Sequence, residues 1–501
     1  MMRTTRVGRT KVELSAVGFG TCQLRLVPEA DALATLARGF DLGVNWVHVS
    51  PDYGGADAIV ARAIRESGRD VIPVSDGSGT MAHFERCFEN ARRLFGRERL
   101  PLFGISCIDD QEFVGNDVWG KDGMVDRLAR WKREGLIDAA YCTTHGTPDY
   151  VADLVTCGAF DAVMLAYNPL GFHVLSSFAK SEGKSYEDLG ANRERILPLA
   201  REHSVSLLAM KPLAGGLLGR SRAFPPHDLS APERAAIAAG DVLRYVLAEE
   251  GITAVVPGTA SVAEAEENAL AGHGERAIPL ATRRAIDEKV AAMRRVVCSR
   301  CGECEPTCSK GLPISWLFRD AYMWMNPGDT FDAVPRLHYF HLHPDTTLAC
   351  ADCRERTCLC PQGLDIPREL AHVHASMIEL ADRGRLPMTP RELESGGVPA
   401  DPAALVVQRE VPDDAHGVFR LWVENAGDRP WIASPTDPGH VVLRVLTRAG
   451  RVVLEVPPRH DVHPGERAHF VFRLRDEAAI EPSALLFEFA RQRASVAGAA
   501  R

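Results

Sequence analysis

The chain has 501 residues, 46 % of them hydrophobic and 25 % charged, with a formal net charge of −9. This is the composition of a soluble globular protein of roughly three domains. The negative balance without a long basic run argues against nucleic acid as a partner. No apolar stretch reaches the about 18 residues that a membrane span needs. The start, MMRTTRVGRTKVEL, lacks the apolar core of a signal peptide, so the expected location is cytoplasmic.

From Val17 to about Arg295, short apolar runs alternate with amphipathic stretches. The runs are AVGFGT (16–21), VNWVHV (44–49), DVIPVS (70–75), LPLFGIS (100–106), IDAAYCTT (137–144), FDAVMLAY (160–167), VSLLAMK (205–211) and ITAVVPG (252–258). Helix-like segments such as PEADALATLARGFDLG and MAHFERCFENARRLFG lie between them. Strand–helix alternation implies parallel strands with right-handed crossovers. Eight runs predict an α/β fold of the (β/α)8 TIM-barrel type over residues 1–295, with an open doubly wound sheet as the alternative.

The chain has 13 cysteines, and eight of them fall between Cys298 and Cys360. In a reducing compartment such clustering points to metal rather than disulfides. Cys298, Cys301, Cys304 and Cys308 form C-x2-C-x2-C-x3-C. An offset of 52 residues, from 298 to 350 and from 308 to 360, brings up Cys350, Cys353, Arg356 and Cys360. The flanks repeat as well, CSKGLPIS against CPQGLDIP, so the segment is an internal duplication. It resembles the bacterial two-cluster ferredoxin pattern, in which the fourth cysteine of each run ligates the other cluster. Two [4Fe–4S] clusters are the expectation, and zinc on paired C-x2-C motifs is the alternative. The second unit departs from the pattern: Arg356 occupies the third ligand position, and Cys358 follows two residues later. A small helical ferredoxin-like domain is expected over 296–388, with helical spacing in PISWLFRDAYMWM and PRELAHVHASMIELADRG.

A linker is expected over 389–403. From 404 to 492, LVVQREV, GVFRLWVENAG, HVVLRVLTRAGRVVLEV and AHFVFRLR alternate apolar with polar residues between turn signals. This predicts a small antiparallel β-sandwich. VENAGDRPW and VHPGE resemble β-domains appended to bacterial sugar- and cell-envelope-related enzymes. Trp431 is then either a core residue or a platform for carbohydrate.

The first 295 residues resemble aldo-keto reductases. RVGRTKVELSAVGFGT is similar to their N-terminal hairpin and first strand, and GVNWVHVSPDYG to the second strand and its loop. WKREGLIDAAYCTTHGTPDY, FDAVMLAYNPL, LLAMKPLAGGLLG and VVPGTASVAEAEENA match further blocks in order. One branch of that family carries a ferredoxin-like extension. The resemblance implies hydride transfer between a nicotinamide, NAD(H) or NADP(H), and a carbonyl of a small-molecule substrate. A tyrosine acts there as general acid with a lysine, an aspartate and a histidine; an unassisted phenol titrates near pH 10.

Tyr53 matches the tyrosine. The aspartate position is His48, the lysine position is Ser75, beside Asp76, and the histidine position is Ser106. Tyr53 and His48 are therefore the catalytic candidates, with His48 able to act as acid or base itself. The alternative is an ordinary loop tyrosine and a hydrogen-bonded barrel histidine. His145 and Lys211 are expected to share the barrel mouth. For the cofactor, Asn168, Lys211, Pro257, Gly258, Ser261, Glu267 and Asn268 are the matching positions, while Met164 replaces a glutamine. No lysine or arginine lies between Gly258 and Asn268, which leaves a 2′-phosphate without support. The leading expectation is an iron–sulfur oxidoreductase whose clusters relay electrons to a partner. The alternatives are a catalytically silent barrel serving as a binding or electron-transfer module, and a lyase using His48 and Tyr53.

Overall fold

The structure is a computed structural model. It describes residues 1–109, 118–170, 192–214 and 237–293, together with 218, 298 and 350. It also describes most of 303–318 and 353–371, and the strands and adjoining turns of 397–492, with breaks of one or two residues elsewhere. The chain divides into two compact units, Met1–Phe331 with Thr357–Glu369, and Asp332–Arg356 with Leu370–Arg501.

In the first unit a hairpin, β1 (Thr4–Arg6) and β2 (Glu13–Ser15), precedes eight parallel strands. These are β3 (Phe19–Gly20), β4 (Trp46–Val49), β5 (Ile72–Gly77), β6 (Leu100–Ile105), β7 (Ile137–Thr144), β8 (Ala162–Ala166), β9 (Ser206–Met210) and β10 (Ile252–Val256). Each overlaps one of the eight apolar runs, and β5 continues past its run to Asp76 and Gly77. They are hydrogen-bonded in chain order from β3 to β10. Parallel bridges Val17–Val255 and Gly20–Gly258 join the first strand region to the last, so the sheet closes into a barrel. The open-sheet alternative is thereby set aside.

Two apolar layers form on the two faces of each strand, as the period of two requires. One lies between strands and helices, where Phe88 stacks on Trp131 with ring centroids 3.8 Å apart. The other fills the barrel with Trp46, Val74, Leu102, Tyr141, Met164, Leu208 and Ala254. Val7, Val12 and Leu14 of the hairpin join this inner layer, so the hairpin plugs one end of the barrel. Trp46 Nε1 donates to Ser15 O at 2.8 Å and ties plug to barrel. The opposite end, at the strand C-termini, is left for chemistry.

In the second unit, β11 (Gly397–Ala400), β14 (Val441–Leu446), β15 (Val452–Val456) and β17 (Leu486–Gln492) form one antiparallel sheet in the order β11-β17-β14-β15. β12 (Ala404–Glu410), β13 (Phe419–Asn425) and β16 (Arg467–Phe472) form another. β11 comes from the segment expected to be a linker. Residues of both sheets share one core, among them Leu421, Leu443, Phe470 and Phe489. Trp431 belongs to that core: it is fully buried and stacks on Phe489 at 5.0 Å. A buried indole presents no face to a sugar, so Trp431 is not a carbohydrate platform. Among the described residues no helix is long and apolar enough to cross a membrane. Most of the two helical segments expected around the cysteines lies outside the described residues.

The plug predicts a specific sensitivity. A Cβ at Gly18 would lie 2.1 Å from Trp46 Cε2, inside the buried indole, whereas one at Gly120 meets nothing within 4 Å. Gly18→Ala should cost about 1–3 kcal/mol through overpacking. Gly120→Ala should leave the denaturant midpoint of the barrel transition unchanged.

Candidate active site at the barrel mouth

Strand alternation decides which side chains enter the barrel. Trp46 and Val74 are in the inner layer, so two residues further on His48 and Asp76 face inward as well. His48 is 6 % exposed and Asp76 fully buried. The two meet, His48 Nε2 standing 3.0 Å from Asp76 Oδ2. Tyr53, half-buried in the loop after β4, brings its hydroxyl to 3.4 Å from His48 Nδ1. From the far side Tyr141 on β7 donates its hydroxyl to Asp76 Oδ2 at 3.2 Å.

Tyr141 reaches Asp76 across an intervening strand because of one glycine. Asp76 is in register with Gly104 on β6, and Gly104 with Tyr141 on β7. A Cβ at Gly104 would stand 2.6 Å from Tyr141 Cδ1, so only glycine leaves room for the ring. Burial, together with the neighbouring Asp76 carboxylate, pushes the Tyr141 phenol well above its ordinary value. Tyr141 therefore stays protonated and serves as a fixed donor. Asp76 Oδ1 is buried and finds no partner among the described residues.

These contacts form a chain, Tyr53–His48–Asp76. With Nε2–H donated to the carboxylate, Nδ1 is the lone-pair nitrogen and accepts from the Tyr53 hydroxyl. The chain can take a proton from the phenol and return it. The family resemblance puts the lysine position at Ser75. The inward position is Asp76, and Val74 in the inner layer is the signal that identifies it.

Beside this chain lies a second group. Lys211 Nζ is 2.7 Å from His145 Nε2, and His145 Nδ1 is 3.9 Å from Cys107 Sγ. The His145 amide donates to Asp109 Oδ1 at 2.9 Å. His145 and Lys211 thus share the mouth as the sequence indicates, but they bond to each other. Nothing in the sequence singles out Cys107; it follows Ser106, whose hydroxyl points back toward its sulfur at 4.0 Å.

The expected cofactor positions lie around the ends of β8, β9 and β10. Asn168 is fully buried. Pro257 O accepts from Gly20 N at 2.8 Å where the barrel closes. A Cβ at Gly258 would stand 3.2 Å from Gln23 Oε1. Ser261 caps the helix Val262–Ala271 by accepting from Glu264 N. Asn268 donates to Thr259 Oγ1 at 3.0 Å, and Glu267 accepts from Gly240 N at 3.3 Å. Ser261, Glu267 and Asn268 therefore shape the loop and helix start. The Ala260 amide donates to Glu264 Oε2 at 2.8 Å, so a carboxylate already occupies part of the anion-binding end of that helix.

The cysteine block is only partly described. Cys301 lies outside the described residues. In the first repeat Ser309 N donates to Thr357 Oγ1 at 3.1 Å, and from the second Leu359 N donates to Thr307 Oγ1 at 3.2 Å. This reciprocal pair lays Cys308 alongside Cys358. No disulfide joins the described cysteines. Among the described residues no group of three or more His, Cys, Asp or Glu is gathered to hold a metal ion. The geometry gives the iron–sulfur expectation no support.

Residues 16–239 match the model of the Aldo/keto reductase family. The match lies within the barrel and its flanking helices, so the barrel is similar to that family. The chain is 27 % identical to L-galactose dehydrogenase of Arabidopsis thaliana over 300 residues, 53 % of this chain and 86 % of that one. It is 22 % identical over 310 residues to an uncharacterised oxidoreductase of Bacillus subtilis, covering 55 % of this chain and 92 % of the relative. Among solved structures, an aldo-keto reductase of Bacillus halodurans in its holo form is 18 % identical with a TM-score of 0.45, covering 58 % of this chain and 96 % of its own.

Asp109 offers a test of the electrostatics at the mouth. Burial pushes its carboxyl up from the ordinary 3.8, against the opposing pull of the His145 amide, the Thr144 side chain and the Lys211 charge. A carboxyl raised in the folded state contributes its stability in full below the unfolded value and loses it as pH rises through the folded one. Asp109→Asn should therefore gain in Tm relative to wild type as pH is raised from about 4 to about 7. A Tm difference independent of pH would show that burial does not penalise this carboxylate.

Proposed function

We propose that the barrel interconverts a carbonyl and an alcohol on a small-molecule substrate, with Tyr53 as the proton-transfer group and His48 and Asp76 in place of the family's lysine and aspartate. The observation that carries this reading is the hydrogen-bonded chain Tyr53–His48–Asp76. A bound nicotinamide, NAD(H) or NADP(H), would supply the hydride, held by Asn168, Lys211, Pro257, Gly258, Ser261, Glu267 and Asn268. In alcohol oxidation Tyr53 would pass its proton to His48 Nδ1 as it takes that of the substrate hydroxyl; in reduction the imidazolium would return that proton as Tyr53 protonates the carbonyl oxygen. Tyr141, locked as a donor, keeps the Asp76 carboxylate oriented toward His48. The names of the matched relatives fit this reading, since they include a dehydrogenase of a sugar.

One observation favours a second reading. The Glu264 carboxylate at the helix start competes with a cofactor phosphate, so His48 and Tyr53 also suit an acid–base lyase that needs no hydride. Turnover without change in cofactor redox state would select it.

Tyr53→Phe should lower kcat/KM about 10²–10⁴-fold without changing Tm, the range for loss of one general acid. His48→Asp and Asp76→Asn should each lower activity and change the pH profile, because each breaks the chain at a different link. Wild-type turnover in all three variants would place the chemistry elsewhere.

The cysteine spacing alone supports reading residues 296–388 as a ferredoxin-like domain with two [4Fe–4S] clusters that pass electrons to a partner. Its ligands would be Cys298, Cys301, Cys304, Cys308, Cys350, Cys353, Cys358 and Cys360. The two antiparallel sheets with a common core support a β-sandwich domain over 404–492. Iron and sulfide analysis with EPR on anaerobically purified protein tests the clusters. Cys358→Ala should remove one cluster's worth of iron and leave the other signal. Colourless protein with stoichiometric zinc would overturn the iron–sulfur reading.

A further inference from the structure

Cys107, His145 and Lys211 take no part in the Tyr53 chain, yet their arrangement is chemically specific. Cys107 follows β6, His145 follows β7 and Lys211 follows β9, so three strand ends bring them together. Cys107 has φ 46° and Lys211 φ 52°, left-handed conformations that side chains other than glycine adopt at a cost. The Cys107 amide is fixed by Thr143 Oγ1 at 2.7 Å. Cys107 is half-buried.

The hydrogen positions follow from what each group can do. A lysine ammonium donates and cannot accept. Lys211 therefore donates to His145 Nε2, and the neutral ring carries its proton on Nδ1. That N–H points to Cys107 Sγ, 3.9 Å away. A thiolate is the form of sulfur that this donor stabilises, and the Lys211 charge compensates it through the ring. The thiolate is also the nucleophilic form of cysteine.

We propose that Cys107, His145 and Lys211 form a nucleophilic thiol site that captures the carbonyl carbon of an aldehyde as a reversible thiohemiacetal. The Cys107 sulfur forms a C–S bond while the C=O π pair moves to oxygen. That oxygen takes the proton of His145 Nδ1, and His145 Nε2 takes one from Lys211, which is left as a neutral amine. No oxidant, reductant or further reactant is consumed, and reversal releases the aldehyde. The step needs neither hydride transfer nor Tyr53, and it shares only Lys211 with the reading above.

The test is alkylation of the full chain with iodoacetamide across about pH 5–9, with the rate at each cysteine read by peptide mass mapping. Cys157, whose thiol donates to Leu154 O and is pushed up by burial, is the slow internal comparison, and the midpoint against an ordinary thiol decides. Cys107 should react faster than Cys157 at pH 6, with a midpoint below the ordinary thiol value of about 8.5. His145→Gln and Lys211→Met should each move the midpoint up. Alkylation at pH 6 should then slow about tenfold for every pH unit by which the midpoint rises. Propanal should protect Cys107 and not Cys157, in wild type and in Tyr53→Phe alike. An ordinary thiol profile at Cys107 in the wild-type protein overturns the proposal, even if a variant fails to fold. A low midpoint without protection by propanal overturns carbonyl capture.

Discussion

The site depends on a single buried carboxylate. Asp76 has no exposed surface, and a carboxylate in that position must be met by donors or by opposite charge. It is met by His48 and Tyr141. The carboxylate stands on β5 and its imidazole partner on β4, 3.0 Å apart. A lysine offers the phenol a charge, whereas an imidazole bonds to the carboxylate through one nitrogen and to the phenol through the other, and so can conduct a proton between them.

The barrel supplies this geometry through register rather than through loops. Asp76, Gly104 and Tyr141 form one row across three strands, and the missing side chain at Gly104 is what lets the outer two meet. The hairpin plug closes the other end with Val7, Val12 and Leu14, and there the Gly8 amide donates to Ser206 Oγ at 2.9 Å. Polar groups held on strands keep their positions more precisely than groups held on loops. Of the first chain, only Tyr53 comes from a loop.

Much of the barrel is legible in the sequence because its strands are buried on both faces and read as continuous apolar runs. All eight strands overlap such runs, although β5 continues past its run to Asp76 and Gly77. The same property hides the site. A run with no alternation does not reveal which residues face inward, so Ser75 matches the lysine position while Asp76 does the pairing. Tyr141 sits inside IDAAYCTT with nothing to distinguish it from a core aromatic, since its partner is 65 residues away in sequence. Cys107 gives no signal by itself; its partners, His145 and Lys211, are brought in by closure of the barrel. At Trp431 the sequence leaves core and sugar platform open, and packing against Phe489 decides for the core. The cysteine block is legible by its period, but spacing alone does not gather ligands in space.

The two groups at the mouth use the same side chain in opposite senses. His48 has a carboxylate at Nε2, so that nitrogen keeps its proton and Nδ1 accepts from the Tyr53 phenol. His145 has an ammonium at Nε2, so that nitrogen accepts and Nδ1 donates to the Cys107 sulfur. Imidazole is indifferent between these tautomers in water; the fixed charge behind each ring makes the choice. Asp76 turns its histidine into a base toward a phenol, and Lys211 turns its histidine into a donor toward a thiol. The mouth thus holds a proton acceptor and a proton donor of one chemical type, distinguished by which strand carries the acid and which the base.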